Sequence, residues 1–256
     1  MAGADLGRAA LSWAAKIGQA TAPNLGLPVG AQISALIFDL DGTLYLQSSL
    51  RRAMLWRLLR AAAAHPASTW KEWQLVRYYR RAQEYLRRCP EHSATAQLPL
   101  ACEWSGVPQA TAAKTIGHWM EDTPLEIILL HLRPGVVNLL ETARNRGIRL
   151  GLVSDYPATR KLLAMGIDTY FSAILTAQDS RVDTFKPSPK GLTLVLAELG
   201  VEPGSAVYIG DRPAVDGETA YRAGVPGVIL GQPSGRSGHG WVGVPDIPSL
   251  RRLLLI

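Results

Sequence analysis

Five short apolar runs with strand character punctuate the chain, at 33–38, 148–153, 172–175, 206–209 and 227–230. Between them lie stretches with helical patterning, at 136–146, 158–165, 191–199 and 217–223. Strand alternating with helix predicts a parallel sheet covered on both faces. The predicted fold class is therefore α/β, a Rossmann-like doubly wound sheet.

One connection is far too long for this plan. A crossover between parallel strands takes about a dozen residues, usually one helix, and 136–146 already supplies it. Residues 46–132 are surplus to the sheet and read as helices at 49–64 and 69–88, with shorter ones across 94–104, 109–120 and 124–132. Thr69 and Glu72 have the spacing of a capping box at the start of the second. The predicted organisation is an α/β core of 31–45 and 133–256, an all-helical cap domain of 46–132, and an N-terminal appendage and linker of 1–30. In the appendage, Leu6, Ala9, Ala10, Trp13 and Ile17 recur at helical spacing, and a Pro- and Gly-rich stretch over 22–30 ends the pattern. The Gly/Ser-rich stretch 231–243, with His239 and Trp241, reads as a loop of no readable function.

The polar residues gather where the strands end. In open parallel sheets, ligands sit beyond the carboxyl ends of the strands. The first run ends in Asp39 and Asp41, the second in Ser154. Lys186 follows the third, and the fourth delivers Asp211, with Asp216 five residues later. Four carboxylates on one rim repel unless a cation joins them, and Mg2+ takes a few carboxylates together with water and phosphate. A lysine and a hydroxyl on the same rim supply donors for phosphate oxygens. Acids, metal and phosphate cradle together predict phosphoryl transfer, with an aspartate able to act as nucleophile.

Phe38-Asp39-Leu40-Asp41-Gly42-Thr43-Leu44, Ser154, Lys186-Pro187 and Gly210-Asp211 with Asp216 resemble the four ordered motifs of the haloacid dehalogenase-like (HAD) hydrolase superfamily. The likeness covers roughly residues 33–230, and the long insert sits where that family carries its cap. It implies a phosphatase resembling phosphoglycolate phosphatase, acting on a phosphomonoester through an aspartyl-phosphate. Asp39 would be the nucleophile, and Asp41 the acid that protonates the leaving oxygen and then the base that activates water. Ser154 would bind phosphoryl oxygens and Lys186 would pair with Asp39. Mg2+ would be held by Asp39, the carbonyl of Asp41, and Asp211, with Asp216 a ligand or support. Gly42, Thr43 and Asp155 would help bind substrate. Asp155 departs from the commonest pattern, where asparagine follows the serine.

The second aspartate discriminates within the superfamily. Dehalogenases and phosphonate-cleaving members lack an acid there, so Asp41 favours a phosphatase or a sugar phosphomutase. A non-catalytic binding protein on this fold has no need of Asp41. To donate near neutral pH, Asp41 must be protonated, and a crowded, partly desolvated site is expected to raise its pKa.

Charge sharpens the picture of the insert. The chain is +6, but residues 51–88 hold ten basic residues against Glu72 and Glu84, a local +8 that leaves −2 elsewhere. Arg77, Arg80, Arg81, Arg87 and Arg88, with Glu84, have the spacing of a solvated helix face. Arg51 and Arg52, near the first strand's loop, are candidates for a second anionic group of the substrate. Trp56, Trp70, Trp73, Tyr78 and Tyr79 are expected to pack the cap's core rather than to stack on bases. The expected partner is thus a small anionic phosphorylated metabolite, not nucleic acid. Cys89, His92, Cys102 and His118 fit no zinc spacing.

Composition adds little more. At 47% apolar residues the chain is in the globular range. Its two cysteines suit a reducing compartment, and no apolar run approaches the roughly 18 residues of a membrane span. Asp5, Arg8 and Lys16 interrupt what would be a signal peptide's apolar core. The expected location is the cytoplasm.

Overall fold

The computed structural model describes residues 32–89 and 92–256. The helical reading of the 1–30 appendage lies outside the described residues. The sheet contains β1 (Ala35–Phe38), β2 (Arg149–Ser154), β3 (Ala173–Thr176), β4 (Ala206–Gly210), β5 (Gly227–Leu230), β6 (Ser237–Gly238) and β7 (Trp241–Val244). Its order is β3-β2-β1-β4-β5-β7-β6. Every pairing is parallel except that of β6 with β7.

The helices are α1 (Gln47–Ala64), α2 (Pro66–Leu86), α3 (Gln97–Ser105), α4 (Gln109–Ile116), α5 (Val136–Asn145), α6 (Thr159–Met165), α7 (Lys190–Leu199), α8 (Glu218–Ala223) and α9 (Ile247–Leu254). A π turn over Gly117–Asp122 and shorter turns to His131 complete the insert. None of the described helices is long and apolar enough to cross a membrane.

Alternate residues of each strand point to opposite faces. Leu36, Phe38, Leu150, Leu152, Val207 and Ile209 pack on one side with Leu139 and Leu140 of α5, Leu162 of α6 and Leu250 of α9. Ala35, Ile37, Val153 and Tyr208 pack on the other with Leu192, Val195 and Leu196 of α7 and Ala220 of α8. The sheet is thus doubly wound, and its central strands are apolar on both faces because both are covered. β1 lies between β2 and β4, so the chain reverses its direction of travel across the sheet there. The crevice beyond the ends of β1 and β4 is the switch point where such sheets bind ligands. Phe38 is in register with Ile209, which sets Asp39 and Asp211 at that crevice.

The surplus residues form a helical layer with a small core of its own, Leu75, Ala101, Ala112 and Ile116, flanked by Tyr78 and Tyr79. Trp56 and Trp70 do not join it: they are 69% and 57% exposed. α1 buries only Leu50, so it has no core face to receive Trp56. The capping box is also corrected. α2 starts at Pro66, preorganised for a first turn, with His65 at the cap. Thr69 is therefore buried inside the helix, and Glu72 instead accepts a hydrogen bond from the Trp119 indole (2.7 Å). Entry and exit of the insert run side by side. Tyr45 bridges Leu132, the Leu46 N–H donates to the His131 carbonyl (2.8 Å), and the Arg133 N–H donates to that of Leu44 (2.9 Å).

The stretch read as a loop at 231–243 contains β6 and the start of β7, and α9 follows. Trp241 is buried against the sheet's edge because Gly217 and Gly238 lie against its indole, where any Cβ would collide. Without an alternating pattern, that strand has no periodic signature. Trp241→Ala should leave an indole-sized void and lower the unfolding free energy by about 3 kcal/mol or more, measured as a shifted denaturant midpoint.

Candidate active site

The floor of the site is the loop that leaves β1. The Asp39 N–H donates to the Ile209 carbonyl (2.8 Å), which fixes the loop to β4. Gly42 takes φ +98°, and Asp211 lies so close that a Cβ there would overlap its carboxylate. Arg133, from the root of the insert, donates to the carbonyls of Thr43 (3.0 Å) and Gly42. Asp39 is buried and its two oxygens have different partners. Lys186 Nζ donates to Oδ1, and the Thr43 hydroxyl donates to Oδ2 (2.9 Å).

Lys186 is itself buried and also donates to Asp216 Oδ1 (2.7 Å). The Tyr208 hydroxyl donates to the same oxygen (3.1 Å). Asp216 Oδ2 accepts from the backbone N–H groups of Asp211 (3.3 Å) and Arg212 (3.0 Å). All of Asp216 is committed, which makes it a positioning residue for Lys186 and for the Asp211 loop. Burial pulls the Lys186 ammonium down, but Asp216 and Asp39 more than offset this and hold it well above an ordinary lysine. Burial, with Asp216, Asp211 and Asp41 nearby, drives the Asp39 carboxyl well above the usual range despite Lys186.

Asp41 corrects an expectation. Burial does push its carboxyl up, as crowding predicts, but Lys161 Nζ (2.7 Å) and the Tyr45 hydroxyl both donate to Oδ1 and bring it below the usual range. The missed residue is Lys161, buried on α6. In sequence it is one more lysine in a helix, and nothing near it marks a partner 120 positions away.

Ser154 is buried at the end of β2, where its hydroxyl accepts from the Tyr156 N–H (3.2 Å). Asp155 joins core to insert. Its Oδ1 accepts from the Lys186 N–H (3.0 Å), and its Oδ2 pairs with Arg87 Nη2 (3.0 Å). Arg87 donates as well to the Lys186 carbonyl. Next to it, the Tyr156 hydroxyl donates to Gln83 of α2 (2.6 Å). Arg87 is therefore not on a solvated face, because the end of α2 lies against Asp155 and Tyr156 just after β2 and turns Arg87 inward, while Arg88 stays exposed.

A cavity of about 800 Å3 lies between sheet and insert. Asp39, Asp41, Lys161, Lys186 and Asp211 reach it from the core; Arg51, Arg77 and Arg80 reach it from the insert. Arg52 is exposed and does not line it. Carboxylate oxygens of Asp39, Asp211 and Asp216 lie within 4.8 Å of one another. Among the described residues one ammonium, that of Lys186, bonds to two of these three acids, and the Arg212 and Arg133 guanidiniums act on Asp211. Asp211 Oδ1 is buried with no hydrogen-bond partner, and burial beside Asp216 pushes this carboxyl up to about 6. An all-oxygen donor set with surplus negative charge suits a hard divalent cation such as Mg2+.

The Arg87–Asp155 pair is nearly sealed from solvent. Arg87→Met should leave a buried carboxylate oxygen unpaired and cost about 3 kcal/mol of stability. Adding Asp155→Asn should recover part of that loss in a double-mutant cycle read by denaturant unfolding.

Comparison with known proteins agrees with this geometry. A family profile described as haloacid dehalogenase-like hydrolase matches residues 33–224. A glyceraldehyde 3-phosphate phosphatase of Methanopyrus kandleri is 30% identical over 198 residues, covering 75% of this chain and 82% of that protein. A phosphoglycolate phosphatase of Rhodospirillum rubrum is 30% identical over 206 residues, covering 77% and 78%. Among solved structures, a HAD-superfamily hydrolase from Geobacter sulfurreducens superposes with a TM-score of 0.57 at 22% identity, covering 91% of this chain and 100% of that one. A HAD phosphatase from Thermococcus onnurineus gives 0.53 at 22%, covering 86% and 97%. The motif acids at the switch point, the doubly wound sheet around them and the profile match converge: the chain belongs to the haloacid dehalogenase-like hydrolase family.

Proposed function

We propose that this protein is a Mg2+-dependent phosphatase that hydrolyses a phosphomonoester through an aspartyl-phosphate on Asp39. The observation that carries the reading is the pair of acids opening on one cavity, Asp39 beside Lys186 and Asp41 beside Lys161. A binding protein needs neither the second acid nor its own lysine. The named phosphatases among the relatives support the reaction class.

Mg2+ would be held by Asp39 and Asp211, with the main-chain carbonyl of Asp41. The Asp41 side chain is engaged by Lys161 and Tyr45, and Asp216 by Lys186 and backbone N–H groups. When bound, the ion neutralises charge on the carboxylates and on the transferring phosphoryl group.

The residues of the chain divide the chemistry. Lys186 and Thr43 aim the Asp39 carboxylate. An Asp39 oxygen attacks phosphorus, the bond to the ester oxygen breaks, and Asp41 gives that oxygen a proton so that it leaves as an alcohol. Asp41, now a carboxylate, takes a proton from water. The water oxygen attacks phosphorus, the Asp39–phosphorus bond breaks, and inorganic phosphate leaves. In the free site Asp41 is held charged. An incoming phosphate dianion competes for Lys161 and sets negative charge against Asp41, and both effects raise its hold on a proton. Ser154 and Lys186 would bind phosphoryl oxygens, and Arg51 would attract the anion from the insert side. Gly42 and Asp155 keep the loops in register, so their contribution to substrate binding is positional.

Asp39→Asn should abolish phosphomonoester hydrolysis, by about 1,000-fold or more, and chelation should do the same reversibly in the parent. Asp41→Asn should accumulate a phosphate adduct on Asp39, detected by mass spectrometry after acid quench. Turnover by Asp39→Asn at the parental rate would sink the reading. Gly42→Ala would force Asp211 aside. It should raise the Mg2+ concentration needed for half-maximal activity by about tenfold or more, measured by metal titration of the initial rate.

A further inference from the structure

The insert side of the cavity carries apolar surface alongside Arg51, Arg77, Arg80 and Glu84. The core side is charged. Opposite it, α1 contributes Leu50, Met54 and Leu58, α2 contributes Trp73 and Val76, and the π turn contributes Trp119. The Trp119 indole is fixed by Glu72. The insert's arginines belong partly to this apolar wall. Arg77 lies over the Trp73 ring, 4.7 Å from its centre, and Arg80 donates to the Met120 sulfur (3.5 Å). Both are laid along apolar side chains in the manner of long basic residues that cover hydrophobic surface. The apolar surface also continues outward. Leu55 lines the cavity and is 53% exposed, and Trp56 and Leu59 follow it on the exposed side of α1.

A volume near 800 Å3 accommodates a molecule of drug size, far more than a two- or three-carbon acid fills. Resting on the phosphatase reading of the charged wall, we infer that the substrate is a phosphomonoester of an alcohol with a large apolar body. The phosphate sits among Asp39, Lys186 and Lys161. The alcohol's apolar part lies against Met54, Leu58, Trp73 and Trp119, and a longer tail leaves past Leu55. Selection then comes from water displaced from the wall, with each buried methylene multiplying kcat/KM about threefold until the wall is full.

The test uses the full chain with Mg2+ and a series of n-alkyl phosphates from butyl to decyl, each below its micelle concentration. Phosphoglycolate and glyceraldehyde 3-phosphate serve as small anionic comparators. The expected result is a kcat/KM that climbs about thirtyfold or more along the series and a decyl ester preferred over both comparators. Leu58→Asn and, independently, Met54→Gln should lower the decyl-to-butyl ratio about tenfold, while Leu58→Met keeps it. A flat series, or preference for either comparator with the ratio untouched by these changes, overturns the inference and leaves the phosphatase reading standing. If no phosphomonoester is turned over, the phosphatase reading fails. The wall is then judged by tryptophan fluorescence titrated with decyl and butyl phosphonates. Tighter decyl binding by tenfold or more upholds an apolar ligand, and equal binding overturns it.

Discussion

Everything at the switch point is arranged around one buried ammonium. Lys186 is only 5% exposed, at the floor of the cavity, and burying a lone cation there would be prohibitive. Asp216 and Asp39 make it tolerable, and Tyr208 completes the arrangement from the sheet's interior. The three acids, however, outnumber the lysine. Among the described residues Asp211 Oδ1 has no hydrogen-bond partner, although Lys186, Arg212 and Arg133 act on this carboxyl from nearby. On the proposed reaction, a cation would answer the surplus acids while Lys186 and Lys161 would face the phosphate. The same constraint explains why Asp216 spends both oxygens on neighbours: were it free, Lys186 would follow it rather than Asp39.

The second acid obeys a separate logic. Asp41 is only two residues from Asp39, yet its environment is built chiefly by Lys161 of α6 and by Tyr45, with Lys186 adding a smaller attraction. Two carboxylates with two lysines can respond differently to the same incoming dianion, because each is balanced by its own partner. The insert is attached to this machinery at several points. Its root pairs Tyr45 with Leu132, Arg133 grips the β1 loop, and Arg87 reaches through Asp155 to the backbone of Lys186. Tyr45 belongs to both the root and the acid, so the geometry of the insert and that of Asp41 are not independent.

Much of this was legible in the sequence, for identifiable reasons. Strands covered on both faces write continuous apolar runs, and acids at their ends stand out against them. That is how Asp39, Asp41, Asp211 and Asp216 could be placed on one rim, along with the surplus segment between β1 and β2. What stayed hidden was set by contacts between distant elements. Lys161 and Arg87 look like ordinary helical surface residues until the fold turns them inward, and so the direction of the Asp41 shift could not be read from crowding alone. β7 was invisible because Trp241 and its glycines pack by shape rather than by alternation. Pro66 starts α2 ahead of Thr69, and of the two neighbouring arginines it is Arg51 that takes the cavity side of α1 while Arg52 is exposed.

α1 buries a single side chain but turns several others toward the cavity. Apart from Leu50 and Met54, which pack on the main core, its cavity-facing positions carry little of the fold's stability, whereas a change at Tyr208 or Lys186 would strike the most tightly buried part of the molecule. The segment that would face the leaving group in the proposed reaction is thus one where mutations are cheap. A lineage could walk through successive replacements at Leu55 or Leu58, keeping a folded protein and an intact site at each step, and arrive at a different diet.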